Sequence, residues 1–181
     1  MGQYFHIVNP AKRQYISSSS FAENSKSSGV MLGYHAIAVG LLVCNLDQVS
    51  YERSKPLHGY GPLAGSWFGD RVYLAGDDHG EPDEFGVKTS TEENANRNLY
   101  WLAEEEFENI TYRAIAMLCE GRRTYAEEMA ARAAEPLHSE LLKHLGNVVF
   151  QVGCKPLEES MEQYLGGDWT RKYKKAREES P

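Results

Sequence analysis

Two short stretches hold the residues whose types could do chemistry: Gly65-Ser66-Trp67-Phe68-Gly69-Asp70-Arg71 and Gly76-Asp77-Asp78-His79-Gly80. Between them runs Arg71-Val72-Tyr73-Leu74-Ala75, rich in β-formers, so two turn-bounded acidic positions bracket one expected strand. A strand rises about 3.3 Å per residue, which sets Asp70 and Asp77 roughly 23 Å apart, too far to share a site. Asp77, Asp78 and His79 make the better cluster, because carboxylates beside an imidazole can ligate a divalent cation or pass a proton. That chemistry would suit a small hydrolase or metal-dependent enzyme, with His35 as a further imidazole. A solvated acidic turn is the stronger competing reading, since the calcium-loop pattern fails: Gly80 is not sixth from Asp77, and the twelfth position is Lys88.

The candidate ligand-binding residues are Trp67, Asp70, Arg71 and His35. Trp67 could stack on a small molecule or nucleotide while the glycine-rich loop from Gly59 to Asp70 offers amides to an anion. Neither a Walker lysine motif nor a G-x-G-x-x-G entry into a helix is present, and an aromatic beside a turn more often closes a core. Asp70 has a structural alternative, satisfying turn amides, and Arg71 has another, pairing with an acidic neighbour. His35 lies in an apolar run and reads better as a hydrogen-bonded core histidine. The three cysteines, Cys44, Cys119 and Cys154, are too widely spaced for a zinc site. Cys154 beside Lys155 is a conceivable nucleophile; Cys44 and Cys119 read as small core residues. His6, His138 and His144 show no ligand spacing and read as surface or structural residues. No cofactor or metal set is named by these residues, and whether the chain is an enzyme stays open.

The elements that must hold these residues follow from periodicity. Tyr4 to Asn9, the turn dipeptide Asn9-Pro10 and Tyr15-Ile16 predict an N-terminal hairpin. A serine-rich loop from Ser17 to Gly29 follows, then a helix from Val30 to Cys44, apolar almost all round and so expected to be buried on most sides. Ser90 with Glu93 predicts a helix start, and Leu99, Leu102, Ala103, Phe107, Ile110, Ala114, Met117 and Leu118 share one stripe, predicting a long helix ended by Gly121 and kinked near Thr111-Tyr112. Further helices are expected from Thr124, from Pro136 to Gly146, and around Leu157, Met161 and Leu165, with a strand over Val148–Val152. The fold class is therefore α+β: an N-terminal hairpin and short sheet packed with a buried helix, then a mainly helical C-terminal half. One globular domain over 1–170 and a charged, frayed tail over 171–181 are expected.

Composition narrows the partners. With 41% hydrophobic, 11% aromatic and 25% charged residues in 181, the chain can bury an ordinary core. A net charge of −7 argues against nucleic acid as a partner and leaves a protein partner or small ligand. The longest apolar run, Val30 to Val43, is 14 residues, short of the about 20 that cross a bilayer, so no membrane span is expected. Met-Gly-Gln-Tyr-Phe-His has no signal-peptide character, and the unpaired cysteine count fits reduced thiols; a cytoplasmic location is expected. These features favour a non-catalytic interaction protein over the enzyme or the nucleotide binder.

The start Met1-Gly2-Gln3-Tyr4, the Val8-Asn9 that closes the first strand, and the segment from Gly65-Ser66-Trp67-Phe68-Gly69-Asp70-Arg71-Val72 through Ala75-Gly76-Asp77 resemble a family of proteins of unestablished activity from bacteria, viruses and some protists. Those relatives begin MGQYY and carry G-S-W-x-G-D-R-x-x-x-A-G-D. The resemblance covers roughly the first 80 residues, implies a self-contained fold and brings no function with it. It departs at Asp78-His79, where the relatives carry an aromatic residue, so it lends nothing to a site at His79.

Overall fold

A computed structural model describes residues 4–17, 34–45, 60–78, 87, 97–134 and 137–178. The fold is α+β, with a four-stranded sheet and seven α-helices among the described residues. The chain divides into two compact units, Met1–Asn45 with Gly65–Thr111, and Leu46–Ala64 with Tyr112–Pro181.

The first unit is built on a hairpin. Strands β1 (Phe5–Asn9) and β2 (Gln14–Ser17) pair antiparallel, His6 opposite Ser17 and Asn9 opposite Gln14. Asn9 makes the turn: its side-chain oxygen accepts the Lys12 N–H at 3.0 Å, and Arg13 takes the left-handed conformation (φ 50) that reverses the chain. Strand β3 (Tyr73–Gly76) pairs antiparallel with the other edge of β1, and β4 (Glu108–Asn109) pairs parallel with β2, giving the order β3-β1-β2-β4. A central strand has no solvent face to spare, and His6, Ile7, Val8 and Asn9 are all buried.

Helix α1 is Tyr34–Val43 and α2 is Leu99–Glu106. Val8, Tyr15 and Ala75 of the sheet form one core with Leu99, Leu102, Ala103 and Phe107. Each large side chain buried there contributes about 1.5–3 kcal/mol. Ile7 points the other way by strand alternation and meets Val39 and Gly40 of α1 across a hollow. Helix α1 is less enclosed than its composition predicts: His35, Ala38, Leu41 and Leu42 are buried, but Ile37 is 40% exposed. Strand β3 begins two residues after Arg71, which is exposed outside it. The expected Ser17–Gly29 loop and the Ser90–Glu93 helix start lie outside the described residues.

The long helix predicted over Leu99–Leu118 is two helices. Phe107 is extended (φ −106, ψ 154), and Glu108–Asn109 pair with β2 before α3 (Thr111–Gly121) begins. Pairing with Gln14 and Tyr15 replaces the continuous stripe while leaving Phe107 and Ile110 buried. The Thr111 hydroxyl then accepts the Ser17 N–H at 2.8 Å, so the join is tied to the hairpin.

The second unit is helical: α4 (Arg123–Ala134), α5 (Ser139–Asn147), α6 (Lys155–Leu165) and α7 (Trp169–Glu178) follow α3. Helix α4 packs on α6 and α5 on α7. Asn147 gathers the unit, donating to the Tyr112 hydroxyl at 3.0 Å and accepting from the Tyr173 hydroxyl at 2.9 Å. Helix α5 starts three residues after Pro136, where the His138 ring accepts the Leu141 N–H at 3.1 Å. The strand expected at Val148–Val152 is instead a π-helical turn continuing α5, with Val148 and Val149 inward and Phe150 outward. Gly153 (φ 80) ends it, a conformation that favours glycine. The charged stretch after Arg171 is held in helix α7 by buried Trp169, Tyr173 and Ala176.

Candidate functional site

The glycine-rich segment is fastened to α1. Gly65 and Trp67 N–H donate to the Leu41 and Leu42 carbonyls at 2.8 and 2.9 Å, which caps the helix end, and the chain then folds back through Phe68 N–H to Gly65 O at 3.0 Å and Asp70 N–H to Trp67 O at 3.1 Å. Gly65 and Gly69 adopt φ 75 and φ 80, which these tight turns require. Trp67 is fully buried, and its indole N–H donates to the Gln14 side-chain oxygen at 2.8 Å. Its ring therefore has no solvent face on which a ligand could stack.

The acidic candidates serve as clasps. The Asp70 carboxylate accepts from the buried Asn9 side-chain amide at 3.0 Å. At the other end of β1, Asp77 closes a two-way pair with Tyr4: its N–H donates to the Tyr4 carbonyl and its carboxylate accepts the Tyr4 N–H, each at 3.1 Å. The Asp77 carbonyl also accepts from the Asn98 side-chain amide at 2.5 Å, and Asn98 in turn caps α2 by accepting the Trp101 N–H at 3.1 Å. Tyr4 and Asn9 are five residues apart along an extended segment, so the two carboxylates are separated by about 17 Å and do not converge. Asp78 and Arg71 are exposed, His35 is buried in α1, and His79 lies outside the described residues. Among the described residues no group of three or more His, Cys, Asp or Glu side chains could hold a metal ion.

A titratable cluster that sequence reasoning missed sits on the α2 face of the sheet. His6 is 2% exposed; its Nε2 lies 3.0 Å from Glu104 Oε1, and its ring stacks on Tyr100 with centroids 3.9 Å apart and planes 10° off parallel. Tyr15 flanks it at 4.9 Å. Burial lowers the His6 pKa, and the hydrogen bond and charge of Glu104 only partly oppose that, so the ring is neutral at pH 7. Burial, then the charges of Glu104 and Asp77, push the Tyr100 hydroxyl up to about 12. Burial likewise raises Tyr15. A neutral imidazole against one carboxylate can orient a side chain or relay a proton, but the ring faces are taken by the two tyrosines. His6 and Glu104 are 98 residues apart in the chain, so no local spacing could reveal them.

A hollow of about 440 Å³ lies elsewhere in this unit, between α1 and the β1–β3 edge of the sheet. Its walls are Ile7, Val39, Gly40, Val72, Tyr73 and Leu74, and Leu74 at its mouth is 37% exposed. Its lining suits an apolar occupant. No family model matches the chain, and no curated protein or solved structure is significantly similar to it. No helix among the described residues is long and apolar enough to cross a membrane.

Proposed function

We propose that the chain is a non-catalytic interaction protein of the cytoplasm, whose sheet unit receives an apolar, extended segment of a protein partner between α1 and β3. The observation that carries this reading is the 440 Å³ hollow with its apolar walls, which include exposed Leu74 and Ala36. Among the described residues β3 is the end strand of the sheet order, beside the hollow where a partner's strand would lie. Alternate side chains of such a strand would enter the hollow, where removing apolar surface from water supplies about 25 cal/mol per Å². Three free cysteines accord with a reducing compartment.

The enzymatic alternative at Asp77, Asp78 and His79 has less support, since the Asp77 carboxylate is engaged with the Tyr4 backbone. The nucleotide-binding alternative on the Gly59–Asp70 loop is weakened by the burial of Trp67. The test is affinity purification of the tagged chain from its own cells, beside Leu74→Lys and Gly40→Leu variants of unchanged circular dichroism. A defined protein retained by the parent and lost from both variants is expected. A monomer that retains nothing, or a retained protein indifferent to both substitutions, would overturn the reading.

A further inference from the structure

We propose that the groove between α7 and the start of α5 binds the phosphoryl group of a small phosphate monoester. The hollow there is about 250 Å³, less than the about 300–1,000 Å³ that drug-sized ligands fill, so it suits a compact molecule. Arg171, Lys172 and Lys175 of α7 line it, together with Leu137, just before α5, and Ser139, the first residue of that helix. All of them belong to the helical unit, so the groove is separate from the hollow beside β3.

Charge names the ligand. The chain as a whole carries −7, yet five of its 19 basic residues, Arg171, Lys172, Lys174, Lys175 and Arg177, fall within 171–177 with no acidic residue among them. Three of the five line the groove, and spacings of three and four residues put them on one face of α7. Like charges at that spacing cost helix stability, and Arg171 and Lys172 stand within the first four residues of α7, the end whose dipole disfavours cations. Asp168 offsets part of this, its carboxylate lying 3.1 Å from Lys172 Nζ and 3.5 Å from the Arg171 guanidinium, while Lys172 Nζ also donates to the Leu165 carbonyl at 2.5 Å. One carboxylate against three cations leaves an excess of two positive charges, which matches the charge of about −1.5 to −2 on a phosphate monoester. Glu140 on α5 is engaged with Lys143 at 3.5 Å and His144 at 3.3 Å. The Arg171 fork can hold two phosphoryl oxygens, and the Ser139 hydroxyl can donate to a third. Leu137, 51% exposed, offers an apolar surface to the organic part of the ligand. A flat anionic surface such as a membrane would draw on all five cations alike, whereas a ligand in the groove draws on the three that line it.

The test titrates the full chain with phenyl phosphate, inorganic phosphate and benzoate while backbone amide resonances are followed. Phenyl phosphate should saturably shift residues 137–139 and 168–176. Inorganic phosphate should shift the same residues with lower affinity, since it leaves Leu137 uncovered, and benzoate, with a single charge, should bind most weakly. Arg171→Gln, at a side chain 86% exposed, should weaken phenyl phosphate roughly tenfold, whereas Lys174→Gln, on the same helix but outside the lining, should change it by about twofold or less. Leu137→Ser should reduce phenyl phosphate to the affinity of inorganic phosphate. No saturable shift, shifts scattered over lysines elsewhere, or equal losses in Arg171→Gln and Lys174→Gln would overturn the proposal. Sedimentation with vesicles of equal parts phosphatidylserine and phosphatidylcholine that phenyl phosphate does not displace would assign the cations to a membrane surface and overturn it too. The titration of the unsubstituted chain decides whether the groove binds even if a variant fails to fold.

Discussion

Two helical glycines should respond to alanine with opposite signs, and the reason is visible in what a new methyl group would meet. Gly40 lies in α1, where a Cβ would find nothing within 4 Å, and its backbone is ordinary helix. Alanine there gains the full helix-propensity difference, about 0.8–1 kcal/mol. For a chain of this size that corresponds to a rise of about 2–4 °C in the melting midpoint. Gly146 lies in α5, where a Cβ would sit 2.2 Å from the Tyr173 ring. Tyr173 cannot step aside easily, since its hydroxyl donates to Asn147 at 2.9 Å and its ring lies 5.1 Å from that of Phe150. Overpacking costs about 1–3 kcal/mol, and an overlap this deep belongs at the upper end, so after the propensity gain Gly146→Ala should lose about 2 kcal/mol. Urea unfolding followed by far-ultraviolet circular dichroism reads both. A destabilised Gly40→Ala, or a Gly146→Ala as stable as the parent, would refute the packing described for these helices.

Asn9→Ala removes the link from the hairpin turn to Asp70 and should cost about 1–3 kcal/mol in urea unfolding, because Asn9 is buried and both of its side-chain partners lose a bond. His6 and His144 both have pKa values lowered chiefly by burial. Below 6.5 the unfolded chain therefore binds more protons than the folded one, and stability should fall as pH drops from there toward the folded values; His6→Phe should make that slope shallower in pH-dependent melts. At the alkaline end the sign reverses in pH. Tyr100 keeps its proton up to about 12 when folded, so its contribution is intact below 10 and is lost between 10 and about 12, and Tyr100→Phe should remove the late step from the absorbance titration of the tyrosinates.

Much of the fold is written in local pattern. Asn9-Pro10 announced the hairpin turn, and Gly166 closes α6 where the stripe of Leu157, Met161 and Leu165 ends. What local pattern could not reveal were outcomes decided by partners distant in the chain. The stripe from Leu99 to Leu118 is interrupted by β4 because Gln14 and Tyr15 supply a ladder there. Val148–Val152 has the composition of a strand, yet α5 carries straight into it and the turn widens instead. In the candidate sites, the separation of Asp70 from Asp77 was legible from strand length alone. The roles of Asp77 and Trp67 as fastenings were not, because their partners Tyr4 and Gln14 lie in the hairpin. The hollow beside β3 was equally hidden: the uniform apolarity of α1 marks no face as open.

The central claim, that this hollow receives a protein partner, is tested most directly by photo-crosslinking from its rim. With Ala36, an exposed residue of its lining, replaced by p-benzoylphenylalanine, illumination in cells should join the chain to one defined protein. Lys12, exposed on the hairpin turn, serves as the control position and should give no such product. Adding Gly40→Leu, which fills the hollow from within α1, should abolish the crosslink while leaving the melting midpoint at or above that of the parent. A crosslink equally strong from position 12, or one that persists when the hollow is filled, would contradict the account.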